Sequence, residues 1–209
     1  MFFLMGEKIV PKVIEERECD CPICQTRETW VEVKEVNYFT VFLIKTFPLD
    51  TVSHYLMCTK CENTFSPNNT SQPAVIDGVR DVLAYLMQGY GQGSNTKLAQ
   101  QLHKAATGLP WEDEEFRDTM RRFNHDEQRT QIVQNLKTLA KSIGWPAKYQ
   151  IVEAAYLITY VCSSLEYEDK VRVNLVGNAL GVSLEGVNEI ADQLRTEHYK
   201  GLQRITLEQ

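Results

Sequence analysis

The sequence predicts an α+β multidomain fold, in which a small β-rich domain precedes an all-α helical bundle. Four of the six cysteines form Cys-x-x-Cys pairs before residue 62, among segments rich in β-branched and aromatic residues. Beyond residue 73, apolar residues recur at helical spacing, and a polar, turn-rich stretch separates the two patterns. We therefore expect a β-rich domain at residues 1–65, a linker at 66–73, a helical domain at 74–200 and a tail at 201–209.

Three segments of the first domain have the composition of strands. Residues 29–36 alternate apolar and charged side chains, and residues 38–47 are rich in β-branched and aromatic side chains. Residues 53–57 form a third candidate, which leads the chain to the second cysteine pair. We expect these three strands to build the β-rich domain.

The second domain shows the spacing of about six or seven helices between Pro73 and Tyr199. The segment from Ala147 to Cys162 is apolar on most sides, which is typical of a helix packed by neighbours all round. Gly181 followed by Ser183 indicates a left-handed C-terminal cap and then a new N-cap, and Ser94 is a further candidate N-cap.

The amino-acid composition and charge of the chain argue against a membrane-spanning segment and against nucleic-acid binding. The chain has 43% hydrophobic and 24% charged residues, as ordinary globular proteins do, and its longest strongly apolar run, residues 38–44, is too short to span a bilayer. The first five residues lack the features of a signal peptide, so we expect a cytoplasmic location. A net charge of −6, with acidic side chains in excess before and after residue 70, speaks against nucleic-acid binding.

The four paired cysteines, Cys21, Cys24, Cys58 and Cys61, predict a metal site. Each Cys-x-x-Cys turn places two sulfurs on one side, so two turns supply the four thiolates that Zn²⁺ prefers in a tetrahedron. A reducing cytoplasm would keep these thiols free for a metal. Because four thiolates leave no open position for water, we expect a structural site and no enzyme.

The identity of the metal and a fifth thiol stay open at this stage. Iron also suits four thiolates, although nothing else in the sequence indicates electron transfer, so zinc is favoured. Cys19 would point to the same side of an extended chain as Cys21 and is a possible spare ligand, but we favour a plain thiol. His54 is interpreted as a residue on a strand surface.

Residues 1–65 resemble a zinc-ribbon family of largely uncharacterised bacterial proteins. The resemblance implies metal binding and little more. Its matching elements are Met1-Phe2-Phe3, Cys21-Pro22-Ile23-Cys24, Tyr38-Phe39-Thr40-Val41-Phe42, Phe47-Pro48-Leu49 and Tyr55-Leu56-Met57-Cys58-Thr59-Lys60-Cys61.

The helical part resembles a TerB-type tellurite-resistance domain between about Tyr156 and Leu194. The matching elements are an acidic pair, Glu168 and Asp169, and the sequence Leu180-Gly181-Val182-Ser183. The family's Ala-Asp-Gly motif is replaced, because its aspartate falls on Cys162 and its glycine on Ser163. The resemblance thus implies the fold more than any cation-binding activity.

The sequence also contains a small acidic cluster in the helical part, and it leaves three candidate functions for the chain. Glu166, Glu168 and Asp169 either bind a hard cation or interact with the dipole at a helix N-terminus, and we favour the second interpretation. We expect a non-enzymatic zinc-binding protein that acts as an interaction or scaffolding module, through an unidentified protein partner or self-association. The alternatives are a nucleic-acid-binding zinc ribbon and a cation-sensing helical domain.

Overall fold

The structure, a computed structural model, describes residues 5–124 and 126–205, without the side chains of residues 126–129. The Met1-Phe2-Phe3 element and the last four residues of the predicted tail lie outside this range. An antiparallel sheet is followed by a run of helices, which confirms the α+β class. The chain divides into two compact units: the strand unit, Met1–Ala74 with Ala140–Ala147, and the helical unit, Val75–Leu139 with Lys148–Gln209. The domain limits expected from the sequence stay a prediction.

The strand unit holds four antiparallel strands in sequential order. They are β1 (Met5–Cys21), β2 (Thr26–Val41), β3 (Ile44–Cys58) and β4 (Thr64–Phe65). Strand β1 was not expected, and the prediction of one strand over residues 38–47 is wrong, because the turn between β2 and β3 falls inside that range. This turn consists of Phe42 and Leu43, with φ of 52° and 65°, and it carries none of the usual turn residues.

Apolar side chains are buried on both faces of the sheet near the cysteine pairs. On one face, Trp30, Leu56 and Phe65 are fully buried beside Cys21 and Cys58, and the rings of Trp30 and Phe65 lie 4.4 Å apart. These side chains pack with the cysteines in one buried cluster, which fixes the two cysteine turns, called knuckles below, at this end of the sheet.

The other face of the sheet packs against a segment from much later in the chain. Val31, Val33 and Tyr55 form a buried cluster there. A Cβ on Gly144 would lie 2.7 Å from Cζ of Tyr55, so glycine is required for this close approach. Because residues 140–147 follow a helix, the sequence offers no periodic signal that would assign them to the strand unit.

The helical unit is built around a central helix. Ten of the twelve residues from Ile151 to Cys162 are buried, which confirms the central helix expected over residues 147–162. None of the described helices is long and apolar enough to cross a membrane. The helices are α1 (Ala74–Gly89), α2 (Thr96–Thr107), α3 (Asp113–Phe123), α4 (Asp126–Leu139), α5 (Trp145–Cys162), α6 (Tyr167–Ala179) and α7 (Leu184–Thr196).

The helix caps predicted from the sequence are confirmed after α6 and wrong at the start of α2. Gly181 has φ of 76° and Ser183 accepts a hydrogen bond from the Gly186 amide, so this predicted cap pair is confirmed. At the start of α2 the N-cap is Asn95, whose Oδ1 accepts from the Leu98 amide at 3.1 Å, and the prediction of Ser94 is wrong. Both residue types are good caps, so position alone decides.

Candidate metal centre

Two tight turns at one end of the sheet present the four paired cysteines. The first connects β1 to β2 and the second connects β3 to β4. In each, the amide of the residue after the second cysteine donates to the carbonyl of the first cysteine, Gln25 to Cys21 at 2.8 Å and Glu62 to Cys58 at 2.9 Å. Each turn therefore closes on itself and directs two sulfurs to the same side.

Gln25 and Glu62 occupy a backbone conformation that glycine tolerates better. Their φ angles are 55° and 57°, in the left-handed region. This is the position at which the sequence lacks the glycine that often follows such a cysteine pair. Both turns therefore keep the local geometry of a knuckle at some conformational cost.

The structure brings together the four cysteines singled out from the sequence. Their sulfur atoms all lie within 4.8 Å of one another. Across the two turns, Cys21 Sγ is 3.8 Å from Cys61 Sγ, and Cys24 Sγ is 3.9 Å from Cys58 Sγ. Because the bond from zinc to a thiolate sulfur is about 2.3 Å, sulfurs at these separations fit the edges of one tetrahedron around a single ion.

The electrostatics of the cluster also suit a cation. Burial raises the pKa of the Cys21 thiol, and burial followed by hydrogen bonding with Cys61 raises the pKa of Cys24 to about 12. Burial alone would raise the pKa of Cys61, but hydrogen bonds from Asn63, Cys24 and Cys58 together outweigh burial, so the pKa is lowered. A divalent cation is what would let all four thiols ionise together.

A charged pair lies at the exposed rim of the cluster. Lys60, between the two cysteines of the second turn, donates to Glu28 Oε1 at 2.6 Å and to Thr26 Oγ1 at 3.2 Å. These bonds link the second turn to the strand that follows the first turn. Sequence reasoning missed this pair, because the two charged residues are 32 positions apart and become neighbours only through strand pairing.

A zinc-ribbon family matches residues 19–104. The matched range includes all four paired cysteines and continues into α2 of the helical unit. No curated protein and no solved structure matches the chain. The matched range thus contains the four cysteines that the sulfur geometry brings together.

Cys19 and His54 lie in the strand unit but outside the sulfur cluster. Cys19 is half-buried against the apolar residues around Trp30 and is not part of the four-sulfur group. His54 Nε2 lies 2.6 Å from Glu32 Oε1, within hydrogen-bonding distance, and His54 is not part of the four-sulfur group. The geometry therefore agrees with a plain thiol and a strand-surface histidine.

The acidic cluster of the helical unit serves as a helix cap. Glu166 is the N-cap of α6 in a capping box with Asp169, whose Oδ2 accepts from the Glu166 amide at 3.1 Å. Asp169 also accepts from the Tyr90 hydroxyl at 3.0 Å. Among the described residues, these carboxylates and Glu168 do not converge as a group of metal ligands, which agrees with the helix-dipole interpretation.

Proposed function

We propose that the strand unit is a structural zinc ribbon and that the chain acts as a non-enzymatic interaction module. The observation that carries the metal assignment is the convergence of four sulfurs within 4.8 Å. Cys21, Cys24, Cys58 and Cys61 would hold the ion as thiolates. When bound, zinc would cross-link the two cysteine turns and offset half of the negative charge of the four thiolates. A full tetrahedral shell leaves no position for a substrate.

Metal content and cysteine replacement test this assignment. We expect the purified chain to hold one zinc ion, and Cys58→Ser to lower the zinc content well below one, because three thiolates leave the shell incomplete. Cys19→Ser is the matched control, since it removes a nearby thiol outside the four-sulfur group and should retain full metal. Stoichiometric iron, or zinc that survives Cys58→Ser, would contradict the proposal.

The interaction role rests on the opposite end of the sheet. Phe42, Leu43 and Ile44 are 53%, 77% and 69% exposed at the β2–β3 turn. Beside them, Phe39 and Phe47 stack at 5.2 Å with Phe47 still 53% exposed. Large exposed apolar patches mark interaction sites in soluble proteins. We call the following residues the apolar tip: Met5, Phe39, Val41, Phe42, Leu43, Ile44 and Phe47.

A photo-crosslinking amino acid at position 43 tests this role in cells that express the full chain. We expect position-specific adducts, because Leu43 is the most exposed member of the apolar tip. The same probe at Leu184, which is 55% exposed in the helical unit, should give none. Equal labelling at both positions, or no adduct at position 43, would remove the tip from the proposal.

Other expectations receive weaker support. Around the knuckles, residues 15–35 and 50–65 hold nine acidic and four basic side chains, which weighs against nucleic acid as the partner. The alternative of a cation-sensing helical domain is weakened, because Glu166 and Asp169 form the capping box of α6. A TerB-type fold for the helical unit and a cytoplasmic location stay predictions from the sequence.

A further inference from the structure

The apolar tip has two features that are unfavourable for a folded protein in water: a strained backbone and exposed apolar side chains. Both central residues of its turn take left-handed φ angles, for which asparagine and glycine are the usual choices. The sequence instead has phenylalanine and leucine there, and both side chains remain more than half exposed. Strain retained together with exposed apolar surface indicates a function at that point.

Strand pairing places the apolar side chains of the tip on one face of the sheet. Met5 pairs with Val41, and Val41 pairs with Ile44. One pleat further along, Phe39 pairs with Phe47. Directly paired residues of antiparallel strands share a face, and so do alternate residues of one strand. These five side chains therefore form one apolar surface that ends at the turn, and Glu7, the partner of Phe39, lies at the edge of that surface farthest from the turn.

The opposite face of the tip carries cationic and amphipathic side chains. Lys8 pairs with Tyr38, and Lys45 Nζ lies 5.8 Å from the centre of the Tyr38 ring. Tyrosine and lysine are the residues that sit at the boundary between hydrocarbon and water, since each joins an apolar body to a polar end. The tip is therefore apolar at its end and on one face, with a polar boundary behind.

Charge is distributed unequally along the sheet. The tip half, residues 5–14 and 36–49, holds three basic side chains and one acidic one, Glu7. The knuckle half, residues 15–35 and 50–65, holds four basic and nine acidic side chains. A negatively charged surface would thus attract the tip and repel the knuckles, which orients the hairpin end-on.

We propose that the apolar tip inserts reversibly into the surface of an anionic lipid bilayer. This inference rests on the proposed interaction function and names its partner by chemistry. A convex turn with apolar side chains at its end and lysines behind it matches a headgroup layer better than a groove on a protein. Shallow insertion of apolar residues combined with attraction to anionic lipid supplies the two signals that stable membrane binding needs.

Vesicle flotation with the full zinc-loaded chain tests the proposal. The vesicles contain phosphatidylcholine alone or with about 30% phosphatidylserine. The main variant is Phe42→Asn with Leu43→Gly, which installs the residues that the turn geometry favours, so its ribbon should be at least as stable as wild type. The matched control, Tyr167→Ser with Leu184→Asn, removes one aromatic residue and one leucine that are exposed in the helical unit.

We expect wild type and the control to float with anionic vesicles, and the turn variant to lose at least about tenfold in partitioning. Lys8→Gln with Lys45→Gln should weaken binding to anionic vesicles by about tenfold and leave binding to neutral ones unchanged. Equal flotation of wild type and turn variant would overturn the proposal.

Zinc content and native mass, measured on the same samples, separate the other outcomes. If wild type retains zinc, does not float and forms a dimer that the turn variant lacks, the partner is a second copy. In that case the bilayer is wrong and the interaction function stands. If zinc-loaded wild type neither floats nor self-associates and position 43 gives no adduct, both proposals fail.

Discussion

The two compact units depend on different sources of stability. Among its described residues, the strand unit has two small buried clusters, and the larger one consists of Trp30, Leu56, Phe65 and two of the four paired cysteines. The helical unit surrounds a helix that is buried along nearly its whole second half. A sheet with so little apolar core needs a cross-link, whereas packed helices do not. The comparison predicts that metal removal, truncation of a core side chain, low pH and relief of backbone strain each change the stability of one unit more than that of the other.

Removal of the metal should produce the largest difference between the units. Free energies of zinc binding to small domains are on the order of 10 kcal/mol, so chelation should unfold the strand unit and leave the helical unit folded. Hydrogen exchange read by mass spectrometry checks this, with amides of β2 and β3 losing protection while those of α5 keep it. Equal loss of protection in both units would show that they do not differ in this way.

Truncation of a core leucine should destabilise the helical unit and leave the strand unit unaffected. Leu157 in α5 is fully buried, and Leu157→Ala should cost the helical unit about 3 kcal/mol through lost burial and a cavity. Zinc content should not change. Denaturant unfolding of the zinc-loaded chain, followed by helical circular dichroism, measures the effect, and Leu175→Ala, at an exposed position of α6, is the control that should cost far less.

Acid should weaken the helical unit through one histidine. His103 is fully buried, its Nδ1 lies 3.0 Å from the Leu109 carbonyl oxygen, and burial lowers its pKa to about 4 from the ordinary 6.5. The folded unit therefore favours the neutral ring, and unfolding takes up a proton. The contribution of the neutral ring to the free energy of unfolding of the helical unit should be fully present above about pH 6.5. This free energy should fall by about 2–3 kcal/mol as the pH approaches 4.

A variant without this titration isolates the effect. His103→Gln keeps a group that can donate to a carbonyl but does not titrate, so stability of its helical unit should depend less on pH between 6.5 and 4. The readout is the urea midpoint of helical circular dichroism, which excludes protonation of the metal ligands from the signal. An unchanged pH dependence in His103→Gln would assign the acid response to other groups.

Relief of backbone strain at the knuckles should give the smallest change. Gln25→Gly removes a side chain from a left-handed position, and we expect the strand unit to gain up to about 1 kcal/mol, less the entropy that glycine adds to the unfolded chain. Thermal unfolding of the zinc-loaded chain measures the gain. Arg27→Gly, inside β2, is the control that should destabilise, and a loss of stability in both variants would argue against strain at Gln25.

Local patterns predicted the four-cysteine cluster and most of the helical unit. The four cysteines were identified because each pair acts within one turn, and the central helix because its apolar residues repeat along a single helix. Strand β1 escaped notice because Pro11 and the charged run at residues 15–18 hide its alternation. The β2–β3 turn escaped notice because phenylalanine and leucine are rarely found in such a turn.

Short stretches of the sequence encode the two cysteine turns, the helical periods and the α+β order, since each depends on residues a few positions apart. The contacts between residues far apart in the sequence became known only from the folded chain. Residues 140–147 belong to the strand unit, Tyr90 bonds to Asp169, and Phe39 stacks on Phe47 at the tip. Register and long-range packing select these neighbours, and neither is encoded in any short stretch of the chain.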